Sequence, residues 1–444
     1  MVLPPTAQSV IKDDERLTMT SPTNDLAELS FIEAAAGNED PPTPIKGVRR
    51  LLWWIIPANL GIFIIWGAFL NLLLPAQVAG LDPAHKIANF AIVSTVGAIF
   101  ALFAQPIAGQ LSDRTRSRFG RRAPWMLIGA LAGALALVGL AFANSFVGIL
   151  IVATVVQTAF NFAQGPLSAI MPDRVPIKRR GVFSALTGIG LMLGALGGQI
   201  VASAFLGSIG AGYIFLAVFS IVMLSLFVIF NPDYSSKDLA REPFKFVDFL
   251  KTFWVNPVKH PDFFWAFTGR TLLYAGYFTV TGYQLYILTD FIHIKNPASV
   301  IPELGVISLA GILISTIISG PLSDKIGRRK PFIFASSVLV AIALVFPMVS
   351  HTLPAWMAMT FISGFGFGMF MAVDTALMSQ VLPSAKSFAK DLGVVNIAAT
   401  LPQALAPAIA GAIVLSVGYI GLFPVGIVLS VLGAFAVLPI KASR

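Results

Sequence analysis

The sequence predicts an all-α membrane protein of twelve transmembrane helices arranged as two pseudo-symmetric halves of six. Three observations carry the prediction. Hydrophobic residues make up 56% of the 444 and charged residues only 11%, with a mean hydropathy of +0.82; a water-soluble domain carries about 25% charged residues to wet its surface. The apolar residues gather into repeated runs of the length that crosses hydrocarbon as a helix, about 20 residues. One loop signal also occurs twice, 211 positions apart. Gly109-Gln-Leu-Ser-Asp113 leads into Arg121-Arg122-Ala-Pro124, and Gly320-Pro-Leu-Ser-Asp324 leads into Arg328-Arg329-Lys-Pro331. A signal at matching places in two halves of a hydrophobic chain marks a duplicated transporter rather than a soluble enzyme.

Residues 1–46 precede the first span. Up to position 45 they hold eight acidic residues against Lys12 and Arg16, contain no apolar core of a secretory signal and end in Pro41-Pro42-Thr-Pro44. A disordered cytoplasmic tail is expected. Spans are expected near 51–76, 87–110, 124–144, 146–171, 182–205 and 211–230, forming a bundle over 47–230. A second bundle, 262–444, takes spans near 262–290, 302–323, 331–350, 354–379, 392–416 and 419–440. Many spans are rich in Gly and Ala, as in Gly188-Ile-Gly-Leu-Met-Leu-Gly194, which lets helix backbones approach where lipid removes the hydrophobic driving force. Between the bundles, residues 231–261 include Phe244-Lys-Phe-Val-Asp-Phe-Leu-Lys-Thr-Phe-Trp254, a composition suited to a short helix lying on the inner leaflet.

Charge sets the orientation. Lys86 and Lys295 lie in odd-numbered loops and Arg270 lies inside a span; every other Lys and Arg falls in the tails and even-numbered loops. Positive residues stay on the cytoplasmic side, so both termini are expected there, in a multi-pass protein of the plasma membrane. The net charge of +9 is thereby a topological signal, and no nucleic-acid partner is expected. The chain has no cysteine and its four histidines fall in connecting segments, so disulfides, thiolate chemistry and an intramembrane histidine relay are excluded. No phosphate-binding loop or zinc-type histidine pair occurs, and neither cofactor, metal nor enzymatic activity is expected. The expected partners are a small solute, protons and the bilayer, engaged by a monomer.

The paired Gly-x-Leu-Ser-Asp…Arg-Arg-x-Pro segments resemble the loop signature of the major facilitator superfamily. The longer first copy, Ser112-Asp-Arg-Thr-Arg-Ser-Arg-Phe-Gly-Arg-Arg122, is similar to the same loop in proton-coupled sucrose and glucoside carriers and in glycoside–pentoside–hexuronide cation symporters. The resemblance implies the major facilitator fold and alternating access. Gating is expected from Gly109, Asp113, Arg121 and Arg122 and from Gly320, Asp324, Arg328 and Arg329. The glycines would let a neighbouring helix pack closely, and the aspartates would cap a helix N-terminus or pair with an arginine across the seam between halves. Asp173 and Arg179-Arg180-Gly181, after span four, read by position as a further gate segment. Sodium-coupled members of the symporter group use acidic residues in spans two and four, and here those spans hold none before Asp173.

Polar groups at membrane depth face a cavity or another helix. Span seven carries Arg270, Tyr274, Tyr277, Thr281 and Gln284, spaced by three and four, which places them on one helical face. Span four carries Gln157, Asn161 and Gln164, and span one pairs Asn59 with Trp66. In the superfamily, spans one, four, seven and ten line the path, so these stripes are expected to bind substrate; interhelical hydrogen bonding is the alternative. For Asn396, Thr400 and Gln403 of span eleven that alternative is the expectation. Aromatic faces with amides and hydroxyls suit a neutral sugar. Asp374 in span ten and Arg270 lie at similar depths, which suggests an ion pair that a proton or substrate loosens. Arg270 reaching for the interface and Asp374 capping a helix is the competing reading. The resulting expectation is a proton-coupled sugar or glycoside symporter. Its rivals are a proton-driven exporter of amphipathic compounds, supported by Gly190, Gly194, Gly197 and Gly198, and a non-vectorial membrane protein such as a scramblase or sensor.

The topology is directly testable because the chain has no native cysteine. Arg118→Cys and Lys295→Cys are expected to react with an impermeant maleimide from opposite faces of the membrane; labelling of both from one face overturns the arrangement.

Overall fold

The computed structural model describes residues 47–237, 257–381 and 388–441. The expected tail (1–46) and the expected interfacial helix at 244–254 lie outside the described residues, as does the side chain of Asn396. Among the described residues there is no strand.

Six helices form the first half: α1 Val48–Leu81, α2 Lys86–Arg114, α3 Ala123–Ala141, α4 Phe146–Arg174, α5 Ile177–Ala204 and α6 Ile209–Phe230. Six form the second: α7 Pro261–Thr281, α8 Pro297–Ile326, α9 Lys330–Val349, α10 Leu353–Val381, α11 Phe388–Val417 and α12 Leu422–Ala436. Local chemistry sets several ends. Pro124, Pro261, Pro297 and Pro331 stand in the first turns of α3, α7, α8 and α9, where the missing N–H leaves no bond unmade. Ser145 caps α4 by accepting from the Gly148 N–H at 3.1 Å. Gly327 ends α8 at φ 68, a left-handed conformation that glycine adopts without strain.

Two spans differ from the sequence expectation. In α1 the segment Trp66–Leu73 is a π-helix, and the Asn71 amide donates to the Trp66 and Gly67 carbonyls at 3.3 and 3.5 Å. Span seven is not one continuous helix. α7 stops at Thr281, the chain turns at Gly282 and Tyr283, and a short helix Gln284–Tyr286 runs into a π segment Ile287–Phe291. Eleven helices among the described residues are long and apolar enough to cross a membrane; the polar stripe keeps α7 out of that set.

The packing repeats with a shift of six helices. α1 packs on α5 and α6, α2 on α4, and α3 on α4 and α6; likewise α7 packs on α11 and α12, α8 on α10, and α9 on α10 and α12. The halves meet through α2 with α11 and α5 with α8, which the same shift exchanges. Large apolar side chains such as Leu135 (64% exposed) and Ile317 (72%) point outward, as a lipid-facing surface requires.

Small residues set the helix separations. On α5, Gly190, Gly194 and Gly198 lie against Ile56, Phe63 and Ile64 of α1, and Gly67 of α1 lies against Ala195. A Cβ at Gly198 would collide with the Ile64 carbonyl, whereas one at Gly197 meets nothing within 4 Å. Gly198→Val is therefore expected to destabilise the protein by about 1–3 kcal/mol, while Gly197→Val stays within about 0.5 kcal/mol, as read by unfolding of the purified protein.

Candidate transport pathway

α7 and α10 build a joint wall. Arg270 Nη1 donates to Asp374 Oδ2 at 2.7 Å, with both side chains largely buried. The Arg270 guanidinium also lies 5.6 Å from the Tyr274 ring centroid. One and two turns further, Tyr274 meets Phe367 and Phe370 edge-on at 5.3 and 5.8 Å, and Tyr277 stacks on Phe367 at 4.6 Å. A charge pair at depth thus abuts an aromatic cluster on two facing helices. Among the described residues Arg270 Nε has no hydrogen-bond partner, so the guanidinium is only part satisfied. Thr281 returns its hydroxyl to the Tyr277 carbonyl at 3.0 Å. Gln284 is not on the same continuous face: the turn at Gly282 and Tyr283 resets the helical register before it.

The other expected lining residues divide. Asn59 is buried, its amide donates to the Ile55 carbonyl at 2.9 Å, and its Cβ faces Gly190; it belongs to the α1–α5 contact. Trp66 opens the π segment and packs between two apolar clusters. Gln157 is buried over Gly97 of α2, with Nε2 unpartnered among the described residues. Asn161 donates to the Gln157 carbonyl at 2.9 Å, and Gln164 is half-buried. Thr400 and Gln403 are exposed.

At the rim carrying residues 115–122, termed here the basic rim, charges cluster within each half. Arg122 is buried; its Nη2 meets Asp113 at 2.5 Å and its Nε meets Asp173 at 2.7 Å. Its Nη1 donates to the Gly109 carbonyl and the Ser112 hydroxyl. Arg121 meets Asp173 at 2.6 Å. Asp173 is thus the centre of the network, a role that its position alone only hinted at. After α6, Asp233 accepts from the Arg122 N–H at 3.0 Å, beside Gly120 at φ 83. In the second half the counterpart is looser: Arg329 lies 3.8 Å from an exposed Asp324, and Arg328 is exposed.

In this conformation the two loops make contacts of a different kind. Asp113 and Asp324 pair with arginines of their own half rather than across the seam. A Cβ added at Gly109 or Gly320 meets nothing within 4 Å, so neither glycine packs a neighbouring helix here. The close approach is instead made by Gly165 of α4, whose missing Cβ leaves room for the Gln105 carbonyl of α2.

The opposite rim is closed by contacts between halves. Tyr286 donates to the Pro75 carbonyl at 2.8 Å and Tyr283 to the Ile87 carbonyl at 3.4 Å, while the Tyr283 hydroxyl also lies 3.0 Å from the Pro407 carbonyl of its own half. Phe90 of α2 packs edge-on against both tyrosines. Lys86 of α2 pairs with Asp290 at 2.7 Å. The sequence reading passed over this group. Its signal in the sequence is the placement of Lys86 and Asp290 at span ends on the charge-poor side.

Residues 60–438 match the family described as MFS/sugar transport protein. The chain belongs to that family. It is a membrane transporter, not an enzyme. A sucrose transport protein of Arabidopsis thaliana is 30% identical over 175 residues, covering 34% of each chain, so the match spans about a third of that relative's length. An uncharacterized symporter of Synechocystis sp. is 44% identical over 80 residues, 18% of this chain and 13% of that one. The class H tetracycline resistance protein of Pasteurella multocida is 24% identical over 275 residues, 60% of this chain and 64% of that one. Among solved structures, a variant of the nucleoside transporter NupG superposes with a TM-score of 0.71 at 16% identity, over 88% of this chain and 99% of that one. A bacterial homolog of the human lysosomal transporter Spinster, inward-facing and occupied, gives 0.67 at 14% identity over 90% and 98%. At such identities the structural likeness is one of fold.

The unequal rims of the two halves predict unequal sensitivity. Asp173→Asn removes a carboxylate held by two arginines and is expected to cost about 3 kcal/mol. Asp324→Asn, an exposed carboxylate 3.8 Å from Arg329, is expected to cost less than about 1 kcal/mol. Denaturant unfolding of the two purified variants checks both.

Proposed function

We propose that this transporter carries a neutral sugar or glycoside by proton symport through alternating access, as a monomer in the plasma membrane with both termini cytoplasmic. The observation that carries the reading is the buried Arg270–Asp374 pair at 2.7 Å, set beside the Tyr274–Tyr277–Phe367 cluster. The family description and the similarity to sucrose transport proteins support the substrate class.

The chemistry follows from the pair. While Asp374 is ionised, Arg270 is its counter-ion, and separating them strands two charges at depth. A proton on Asp374 removes its charge and frees the guanidinium. Arg270 then donates to sugar hydroxyl oxygens, and the Tyr277–Phe367 stack offers an aromatic face to the apolar side of the ring. Gln157, Asn161 and Gln164 supply amide donors and acceptors. Proton and sugar each favour the state that binds the other, which is reciprocal coupling. With the basic rim cytoplasmic and the opposite rim closed by contacts between halves, the conformation is the one that releases substrate inward. On release, Asp374 loses its proton to the cytosol and the pair closes again. Spans two and four hold no acid deeper than Asp113 and Asp173 at the basic rim, which favours protons over a sodium site.

The tetracycline resistance relative favours a second reading, a proton-driven exporter. The glycine stripe on α5 no longer supports it independently, because Gly190, Gly194 and Gly198 have a packing role against α1. In proteoliposomes with an inward-directed proton gradient, wild type is expected to accumulate a labelled glycoside from a disaccharide panel. Asp374→Asn is expected to exchange sugar across the membrane yet lose accumulation, a drop of at least about tenfold. Accumulation by Asp374→Asn sinks the coupling role, and proton-driven tetracycline movement without sugar uptake selects the exporter.

A further inference from the structure

The ion pair on the rim opposite the basic loops has a construction of its own. Lys86 Nζ meets both carboxylate oxygens of Asp290, at 2.8 and 2.7 Å, and lies 5.4 Å from the centroid of the Tyr286 ring. Asp290 also accepts from the Tyr419 hydroxyl at 2.6 Å and the Thr289 hydroxyl at 2.9 Å. Lys86 is the first residue of α2, in one half; Asp290, Thr289 and Tyr419 all belong to the other. The charged groups are partly buried, at 22% and 27% exposure.

Those partners make the contact separable. When the halves part on this side, Asp290 keeps two hydroxyl donors from its own half, so the carboxylate is never left without hydrogen bonds. Lys86 leaves as a compact ammonium that water rehydrates readily. The tyrosine contacts with the Pro75 and Ile87 carbonyls must break in the same motion, but they carry no net charge. At the basic rim, by contrast, the charge pairs of Arg121, Arg122 and Arg329 lie within single halves and survive a relative movement of the halves.

We propose that Lys86 and Asp290 form the latch of this rim: their pair holds the rim shut in the present conformation, and its rupture sets how much of the population opens to that side. The inference rests on alternating access but on neither the sugar nor the proton of the preceding reading.

The test uses no substrate, so its outcome is separate from that of the uptake experiment. Leu285, buried within the closed rim, becomes the single reporter Leu285→Cys in a chain without native cysteine. Its rate of labelling by an impermeant maleimide is measured from the side of Lys86. Lys86→Gln and Asp290→Asn are each expected to raise that rate about fivefold, the population shift from losing one partly exposed pair. The double variant should rise no further than the singles, as coupled partners require. The exchange of Lys86→Asp with Asp290→Lys, and Lys86→Arg alone, should restore slow labelling; either restoration also shows that the fold tolerates changes here. His85→Gln, which breaks the neighbouring His85–Asp82 contact inside one half, should leave the rate unchanged. Unchanged labelling in both single variants, or an equal rise in His85→Gln, overturns the latch.

Discussion

In lipid the hydrophobic effect gives helices no reason to associate, so the architecture depends on how closely backbones can approach. Here that approach is set by glycines in register with a partner helix. Gly190, Gly194 and Gly198 seat α5 on α1; Gly276 lies against Gly426 and Ser430 where α7 meets α12; Gly311 and Gly364 face each other across α8 and α10. Each contact lies within a half, which makes each half a rigid unit. The seam between halves is built mainly from α2 with α11 and α5 with α8, with the short helix Gln284–Tyr286 touching α1. Two rigid units joined by a narrow seam can rock about it without repacking their interiors.

The two rims divide the labour. On the basic side, Arg122 ties together Asp113, Asp173, Gly109 and Ser112, and Asp233 fastens the start of the inter-half connection to the same loop. These bonds stiffen one half. On the opposite side the polar contacts cross from half to half through Lys86, Tyr283 and Tyr286. The break at Gly282 and Tyr283 makes this possible, because it lets the end of span seven leave the line of α7 and reach α1 and α2. The polar stripe ends where the crossing contacts begin, so binding wall and closure sit on consecutive stretches of one chain segment.

Much of this was legible in the sequence because it depends on short-range patterns. Apolar runs of spanning length and the doubled Gly109…Pro124 and Gly320…Pro331 signal specify twelve helices in two halves, since neither lipid solvation nor duplication requires knowledge of contacts. The spacing of Arg270, Tyr274, Tyr277 and Thr281 put them on one face because helical periodicity is local. What the pattern lacked was direction. It placed Asn59 toward the path, yet that residue faces Gly190, because a polar residue at depth is satisfied equally by its own helix carbonyl.

Tertiary structure alone decided the rest, since those choices lie between groups far apart in the chain. Residues 104 positions apart meet as Arg270 and Asp374, and residues 204 apart as Lys86 and Asp290. The sequence supplied each charge; only the fold selected its partner, because electrostatic pairing depends on distance in space. The same holds for Gly109 and Gly320, whose open surroundings reflect how the halves stand in this conformation. Composition and periodicity determined that the chain spans the bilayer as paired bundles, while the three-dimensional arrangement determined which rim is shut and by which residues.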